Sequence, residues 1–361
     1  MAQDPHFSMF YSAPLQLNPA LTGVFDGSYR VSALYRSQWG EILKDESVAQ
    51  FRTMAFAADF RIPVGKNSLG IGVSALNDKA AASEFGTTRG GLSASYMQSL
   101  DRWGQHYVVL GLQGDVISRT FSPEGLRMGA QWDGAAYNPI YGSIDPFLAS
   151  ASQSRTFFDV GAGLLYFYKG RDDKFTAYGG FSIQHINEPN ESLAGSVVKL
   201  RMKYSAHAGV NIPVLPQIHI LPKFLVQFQG QSLETIYGTD VRFIFDKFDP
   251  SGNAFRFGAM FRGVGGLNAA NADGYNAESL IFLAGVDFKG FDLENEWSIA
   301  DLELDLGHTL NAISIWMKLG KQYNAIISLP IGPNRIRLIS STENCLKSIP
   351  IPIKIQKIHR Q

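Results

Sequence analysis

Charged side chains set at alternate positions among apolar residues are the groups in this 361-residue chain that could do chemistry. Asp59 and Arg61, for example, alternate with Phe60 and Ile62. Carboxylates and guanidinium groups placed in this way form strong ion pairs, and around a pore they select ions by charge. The chemistry that they offer is therefore electrostatic. The candidate network consists of Arg30, Arg36, Asp59, Arg61, Asp240, Arg242 and Asp287.

The sequence contains no closely spaced group of residues that is typical of a nucleophilic, metal-binding or phosphate-binding site. The glycines of 263–266 do not open a helix after a strand, so a phosphate site is a weak interpretation. The single Cys345 excludes an internal disulfide framework. We predict no catalytic residue, metal ligand or cofactor and no enzyme, although a Ser-His-Asp arrangement in a barrel lipase stays compatible with the sequence. The seven histidines include no close-spaced metal pair: His6, His106, His185, His207, His219, His308 and His359.

Strands must position the charged residues, because the chain repeats a two-residue pattern. In 28–38, Tyr29, Val31 and Tyr35 share one face while Arg30 and Arg36 share the other, as in a strand with one apolar and one polar surface. Most candidate strands are close to the roughly 9 to 11 residues that a tilted membrane strand needs. Fourteen are predicted, at 28–38, 52–62, 68–76, 89–98, 105–119, 156–168, 174–185, 202–212, 218–228, 234–245, 254–262, 279–288, 291–299 and 312–319.

The connections between these strands favour a membrane barrel over a soluble sandwich, which would show the same alternation. Long connections, such as 120–155, alternate with short ones, such as 63–67, with few exceptions. Outer-membrane barrels place short turns on the periplasmic side and long loops outside. The sequence therefore predicts an all-β transmembrane antiparallel β-barrel of about 14 strands, with a range of 12–16, at residues 28–319. Both flanking segments start on its periplasmic side.

The apolar faces of the strands must meet lipid. An Arg or Lys that faces lipid at the bilayer midplane costs about 2 to 4 kcal/mol, so the candidate network must face the lumen or lie near its rims. There it could line a selective channel. It could equally brace an occluded barrel, and the mixed signs of its charges favour this second interpretation.

Two segments could occupy the lumen of a 14-stranded barrel. One is the leader, residues 1–27, which is apolar and aromatic without a regular period and is expected to be periplasmic or partly plugging. The other is the connection 120–155, whose length and content of Gly, Pro and aromatic residues indicate an ordered, functional loop. Both could instead pack as caps at the barrel mouths.

Composition narrows the classes of protein. The chain has 12% aromatic residues, 36 glycines and only 18% charged residues, which suits an aromatic-rich β-protein. Its 32 basic and 32 acidic residues cancel, which removes a global electrostatic argument for nucleic acid. No signal peptide is visible at residues 1–3, so we expect a mature chain whose export signal has been removed.

The leader carries a resemblance. The stretch AQDPHFSMFYSAPLQLNPALTG, followed by YRSQW, resembles the opening of the PorP/SprF family, and LRMGAQWDGAAYN at 126–138 is similar to the mid-chain loop of that family. The similarity extends over roughly residues 1–300 and weakens beyond about Trp297. These proteins are outer-membrane β-barrels of the type IX secretion system, some of which serve gliding motility.

The resemblance implies a bacterial outer-membrane protein that assists export or surface anchoring of an adhesin by binding the C-terminal sorting domain of that cargo. The partners that it implies are components of the type IX translocon and the secreted adhesin. A barrel of this class also contacts outer-membrane lipids, and a periplasmic partner is the expectation for the segment 320–361. The alternative function is an outer-membrane diffusion pore or a hydrophobic-solute transporter, which the lumen charges and the barrel size also permit.

Aromatic residues in the predicted extracellular loops are the candidate partner-binding residues, because aromatic side chains are enriched in interface cores. They could instead pack the loops together or lie in the interfacial girdle. They are Trp132, Tyr137, Tyr141, Phe147 and Tyr275, in the loops 120–155 and 263–278.

The segment 320–361 differs from the rest of the chain. Seven basic residues against Glu343 give it a net charge of 7 − 1 = +6, and it contains the run SIPIPIKI. Its bias toward Ile, Lys and Pro without a period predicts a basic tail that is disordered or non-homologous. The other interpretation is a periplasmic arm that docks on a partner.

Overall fold

The computed structural model describes residues 4–5, 7–25, 27–38, 51–80, 85–122, 153–170, 175–193, 197–245, 253–266, 275–288, 291–300 and 323–330. A leader of short helical turns precedes a run of strands. The leader contains a 3-10 helix at Phe10–Ser12, the helix α1 at Pro14–Leu17 and a second 3-10 helix at Pro19–Leu21. Among the described residues, no helix is long and apolar enough to cross a membrane.

The described strands number fourteen, as predicted. They are β1 (Tyr29–Gln38), β2 (Phe51–Val64), β3 (Asn67–Ala80), β4 (Phe85–Ser99), β5 (His106–Phe121), β6 (Gln153–Lys169), β7 (Thr176–Gln184), β8 (Lys203–Leu215), β9 (Ile218–Gln229), β10 (Ser232–Ile244), β11 (Ala254–Gly266), β12 (Tyr275–Phe288), β13 (Phe291–Ala300) and β14 (Tyr323–Pro330).

Each strand pairs with its neighbours in sequence, and β1 pairs with β14, so the sheet closes into one antiparallel barrel. Closure leaves no sheet edge with unpaired backbone groups, as a membrane requires. The predicted fold class, a transmembrane antiparallel β-barrel of about 14 strands, is confirmed.

The two faces of the barrel follow the predicted alternation. On β2, Met54, Phe56 and Phe60 are exposed on the outside, whereas Thr53 and Asp59 are buried. An apolar outside suits hydrocarbon and leaves polar side chains to the interior. The charged side chains described on β2 and its neighbours therefore have one region in which to meet, the lumen.

Turn lengths identify the two ends of the barrel. The β2–β3 turn has two residues, and its Gly65 has a φ of +65°, which glycine adopts without a steric penalty. Residues 122–152, by contrast, separate β5 from β6 at the opposite end, and we refer to this as the long-loop end.

The last strand differs from the prediction. β14 lies at Tyr323–Pro330, inside the segment predicted to be a basic tail after residue 319, while the predicted strand at 312–319 lies outside the described residues. The strand YNAIISLP closes the barrel because its backbone pairs with both β1 and β13. The barrel therefore ends beyond residue 319. The rest of the tail lies outside the described residues.

Candidate functional site: the leader in the barrel lumen

The leader crosses the lumen of the barrel. Asp4 lies near Gln229, the last residue of β9, and so at the long-loop end. Thr22 contacts the inner face of β4, and the chain then joins β1 at the short-turn end. Of the two positions expected for the leader, the structure has it inside the barrel. The sequence predicted that the leader starts on the periplasmic, short-turn side of the barrel. In the structure its first described residue, Asp4, lies at the long-loop end instead.

The middle of the leader is held by Asn18, which is fully buried. Its Nδ2 donates to the carbonyl oxygens of Leu164 at 3.1 Å and Phe181 at 3.3 Å, and lies 3.1 Å from Nε2 of His207. Its Oδ1 accepts a hydrogen bond from the amide of Ala20 at 2.9 Å and so caps the second 3-10 helix. One side chain thus joins the leader to β6, β7 and β8.

Glycines on the inner face of β3 to β7 allow the leader backbone to approach. A Cβ added at Gly111 would collide with the backbone of Pro19 and Ala20, and one added at Gly163 would collide with the side chain of Asn18. We define the glycine wall as four such positions, Gly70, Gly111, Gly163 and Gly180. Their lack of side chains leaves the space that the leader occupies.

Short polar side chains beside the glycine wall hydrogen-bond the leader. Ser182 Oγ donates to the carbonyl of Leu17 at 2.8 Å. Ser95 Oγ donates to the carbonyl of Thr22 at 2.6 Å, and Thr22 Oγ1 donates to Ser93 Oγ at 2.8 Å. These contacts satisfy buried polar groups, which would otherwise be costly.

On the opposite side the leader packs on apolar side chains. Met9, Phe10 and Leu17 of the leader share one core cluster with inward-facing residues of the barrel. We define the apolar wall as its members on β9 to β12: Leu225, Ile236, Met260, Ile281 and Leu283. An apolar wall inside a barrel is stable only when it is covered, because it would otherwise meet water.

The tip of the leader ends in a chain of buried charges. Asp4 lies 2.7 Å from Nε2 of His185, and Asp159 lies 2.9 Å from Nδ1 of the same ring. Arg89 lies 3.7 Å from Asp159 and also pairs with Asp115. Burial disfavours a charged imidazole, but the two carboxylates outweigh it and raise the pKa of His185 to about 9. His185 is therefore protonated at neutral pH and links the leader to β6.

At the short-turn end the base of the leader contacts three residues of the predicted network. Asp59 accepts from the amide of Gly23 at 2.7 Å and pairs with Arg30 at 2.8 Å, its partner in register between β1 and β2. Arg61 donates to the carbonyl of Phe25 at 3.2 Å.

The other four predicted network residues also lie on the inner side. Asp287 of β12 pairs with Arg242 at 2.6 Å, and also with Arg256 at 2.9 Å. Asp240 pairs with Lys223 of β9, whose ammonium lies 3.3 Å from the ring centroid of Tyr11 in the leader. Arg36 is buried near the long-loop end of β1.

The sequence interpretation missed several residues that hold the leader. Asp159 lies between Phe158 and Val160 and Asp115 precedes Val116, so the signal of the predicted network could have found both. Arg89 lies between Thr88 and Gly90 and lacks that signal. Asp4, Asn18 and His185 carry no such signal, because each lies outside the strands.

Of the predicted partner-binding residues, the structure describes one. Tyr275 is the first residue of β12, half-exposed, and its hydroxyl hydrogen-bonds Thr235 Oγ1 of β10. It therefore lies in a strand, not in a loop as predicted, because β11 and β12 extend into the predicted loop 263–278. Trp132, Tyr137, Tyr141 and Phe147 lie outside the described residues.

Comparison with known proteins adds the following. A family model described as "Type IX secretion system membrane protein PorP/SprF" matches residues 1–301. No curated protein gives a significant match to the chain. Similar solved structures include the Ralstonia pickettii toluene transporter TbuX, with 11% identity, coverage of 88% of this chain and 92% of that chain, and a TM-score of 0.48. The CymD monoaromatic hydrocarbon channel has 10% identity, with coverage of 88% of this chain and 91% of that chain and a TM-score of 0.48. CdiB from Escherichia coli has 12% identity, with coverage of 83% of this chain and 62% of that chain and a TM-score of 0.42.

Proposed function

The chain belongs to the PorP/SprF family of type IX secretion system membrane proteins, and from that premise we propose that it is an outer-membrane accessory barrel that binds the C-terminal sorting domain of an adhesin-like cargo. In this role it assists the export of the cargo or anchors it at the cell surface. The family and the barrel both point to a bacterial outer membrane.

The observation that carries the proposal is the leader inside the lumen. Asn18 is fully buried between β6, β7 and β8, and Phe10 packs in the core cluster that includes the apolar wall. A segment held on both sides occludes the lumen, with the network Arg30, Arg36, Asp59, Arg61, Asp240, Arg242 and Asp287 bracing the barrel around it. An occluded barrel acts through its surfaces, so this arrangement favours an interaction role over the alternative of a diffusion pore.

The surface proposed to bind the cargo is formed by the connections at the long-loop end. Loops fixed by a rigid scaffold carry binding residues in many folds. The connection between β5 and β6 and the one between β11 and β12 leave the same rim of the barrel on opposite sides. The first holds Trp132, Tyr137, Tyr141 and Phe147, and Tyr275 begins β12 directly after the second. The translocon is the proposed partner that delivers the cargo, and outer-membrane lipids surround the apolar belt. The basic segment 331–361, which follows β14, is proposed to contact a periplasmic partner.

Loop truncation tests this proposal. Replacing 123–152 and 267–274 by short glycine-serine turns leaves β5, β6, β11 and β12 intact. We expect surface display of the cargo to be abolished while the barrel remains inserted and heat-modifiable on gels. The matched control shortens 246–252, which joins β10 to β11 at the opposite end, and should leave display unchanged. Normal display after truncation at the long-loop end would contradict the proposal.

A further inference from the structure

A cavity of about 640 Å³ opens above the tip of the leader at the long-loop end. We define this vestibule by its lining, which comes from the long-loop ends of β1 to β3 and β8 to β12 and from Pro5 of the leader. Its volume is in the range of ligand-binding cavities, about 300 to 1,000 Å³. Among the described residues, the leader forms its floor.

The charged residues of the vestibule alternate in sign around the barrel. Three are cationic and three are carboxylates, so they carry no net charge. In strand order they are Arg36 on β1, Asp78 on β3, Lys203 on β8, Glu234 on β10, Arg262 on β11 and Glu278 on β12. A ring of one sign would select an ion. An alternating ring instead suits a ligand that carries partial charges of both signs.

Neutral hydrogen-bonding groups line the vestibule together with the apolar side chains of Phe51, Leu233 and Val264. Thr53, Gln227, Gln229, Ser232 and Asn276 line the same vestibule and supply both donors and acceptors. An apolar solute would desolvate these groups without replacing their hydrogen bonds, which is costly. A polypeptide offers an N–H and a C=O at almost every residue and satisfies both kinds of group.

The inner end of the vestibule holds two cations, Lys203 and Arg262, each beside one carboxylate of the chain, Asp4 and Glu278 respectively. Lys203 lies 3.8 Å from Asp4, and Arg262 donates to Ser8 Oγ at 3.1 Å, so both cations stand beside the leader. Lys203 has three N–H donors and Arg262 has five, which leaves capacity for an additional carboxylate. In the ion pair of Arg262 and Glu278, the Glu278 side chain is the more exposed of the two and lies nearer the solvent. A chain that enters with a negative end first matches this arrangement.

We propose that the vestibule binds the free C-terminal end of an exported polypeptide, with the terminal carboxylate beside Lys203 and Arg262. A compartment with a floor accommodates a chain end, whereas an internal segment would have to enter and leave again. Capture of a terminal carboxylate is an established mode of peptide recognition. The inference rests on the proposed function, because it specifies which part of the cargo is bound and where.

Photo-crosslinking in cells tests the inference on the intact protein. The probe is p-benzoylphenylalanine, placed at Asn276 or Ser232 in the vestibule. Tyr237, which is exposed on the outside of β10, is the matched control position. Crosslinked peptides are then identified by mass spectrometry. We expect the last peptide of an exported protein to be crosslinked at both vestibule positions and not at Tyr237.

A charge variant sharpens the test. Lys203→Gln should lower the crosslinking yield about tenfold, the effect of one charge-assisted hydrogen bond, and Lys203→Arg should restore it. Crosslinks to internal peptides of the cargo would overturn the end-on binding mode. Crosslinks to no exported protein, while loop truncation still abolishes display, would overturn the vestibule site and leave the proposed function standing. If loop truncation also leaves display unchanged, both fail.

Discussion

The glycine wall and the apolar wall hold the same leader in different ways. At the glycine wall, backbone meets backbone, because Gly70 and Gly111 provide no side chain to separate the barrel from the leader. At the apolar wall, side chains such as Ile236 and Met260 pack against Met9 and Phe10. A backbone contact cannot adjust to one added atom, whereas side chains can repack around a small change. The glycine wall therefore fixes the position of the leader, and the apolar wall fills the remaining space.

The largest effect is expected from one carbon added to the glycine wall. Gly111→Ala places a Cβ against the backbone of Pro19 and Ala20 and should displace the leader. Open-channel currents in planar bilayers should then appear where the intact protein gives none. Gly90→Ala is the matched control, because an added Cβ at Gly90 meets open space. Silent bilayers with both variants would show that the glycine wall does not set the leader position.

The next effect concerns the charges beside the glycine wall. Asp159→Asn removes the charge between His185 and Arg89 and leaves two buried cations with less compensation. Breaking a buried pair in this way costs about 3 to 5 kcal/mol. The free energy of unfolding in urea should fall by this amount.

A matched comparison for this loss is the exposed pair of Glu188 and Lys199, at 3.6 Å with the lysine mostly exposed. Glu188→Gln should change the free energy of unfolding by about 0.2 to 1 kcal/mol at most. Equal losses in the two variants would mean that the chain of charges at the leader tip is no stronger than a surface pair.

A smaller effect is expected when one carbon is removed from the apolar wall. Ile236→Val should lower the free energy of unfolding by about 0.5 to 1.5 kcal/mol, measured in urea, because neighbouring side chains partly fill the space. Bilayers containing this variant should remain silent. Channel opening would show that the apolar wall also positions the leader.

The most local effect is expected at the leader tip, where a change of pH should alter protease cleavage near residue 4 and leave the rest of the barrel unchanged. The folded-state pKa of His185, about 9, lies above its ordinary value of 6.5. The stability from its charge is therefore fully present below pH 6.5 and is lost as the pH rises to about 9. Protease cleavage near residue 4 should increase over this interval. His185→Gln should remove the pH dependence, and an unchanged pH profile would contradict the assignment.

Sequence reasoning predicted the parts of this fold that repeat. The alternation along β2 separated Phe60 from Asp59, and the partner of Asp59, Arg30, follows from pairing β1 with β2 in register. A period of two is a local property, so one strand is enough to show it.

The position of the leader could not be predicted in the same way. Asn18 contacts residues that are 146 to 189 positions away in the chain, and no local pattern encodes such contacts. The glycine wall was hidden as well, since Gly111 and Gly163 simply look like poor strand residues. Their role depends on what stands opposite them. The position of β14 was missed for a related reason, because pairing with β1 and β13 decides which apolar stretch closes the barrel.

Disulfide trapping tests most directly whether the leader lies against the inner wall of the barrel. Thr22 Oγ1 and Ser93 Oγ are 2.8 Å apart, close enough for cysteines at these positions to form a disulfide without a large backbone movement. The variant combines Thr22→Cys and Ser93→Cys with Cys345→Ser. In intact outer membranes we predict near-complete disulfide formation for this pair, and none for the control pair Thr22→Cys with Ala94→Cys, because Ala94 faces outward. A folded, heat-modifiable barrel that forms no disulfide between positions 22 and 93 would contradict the account.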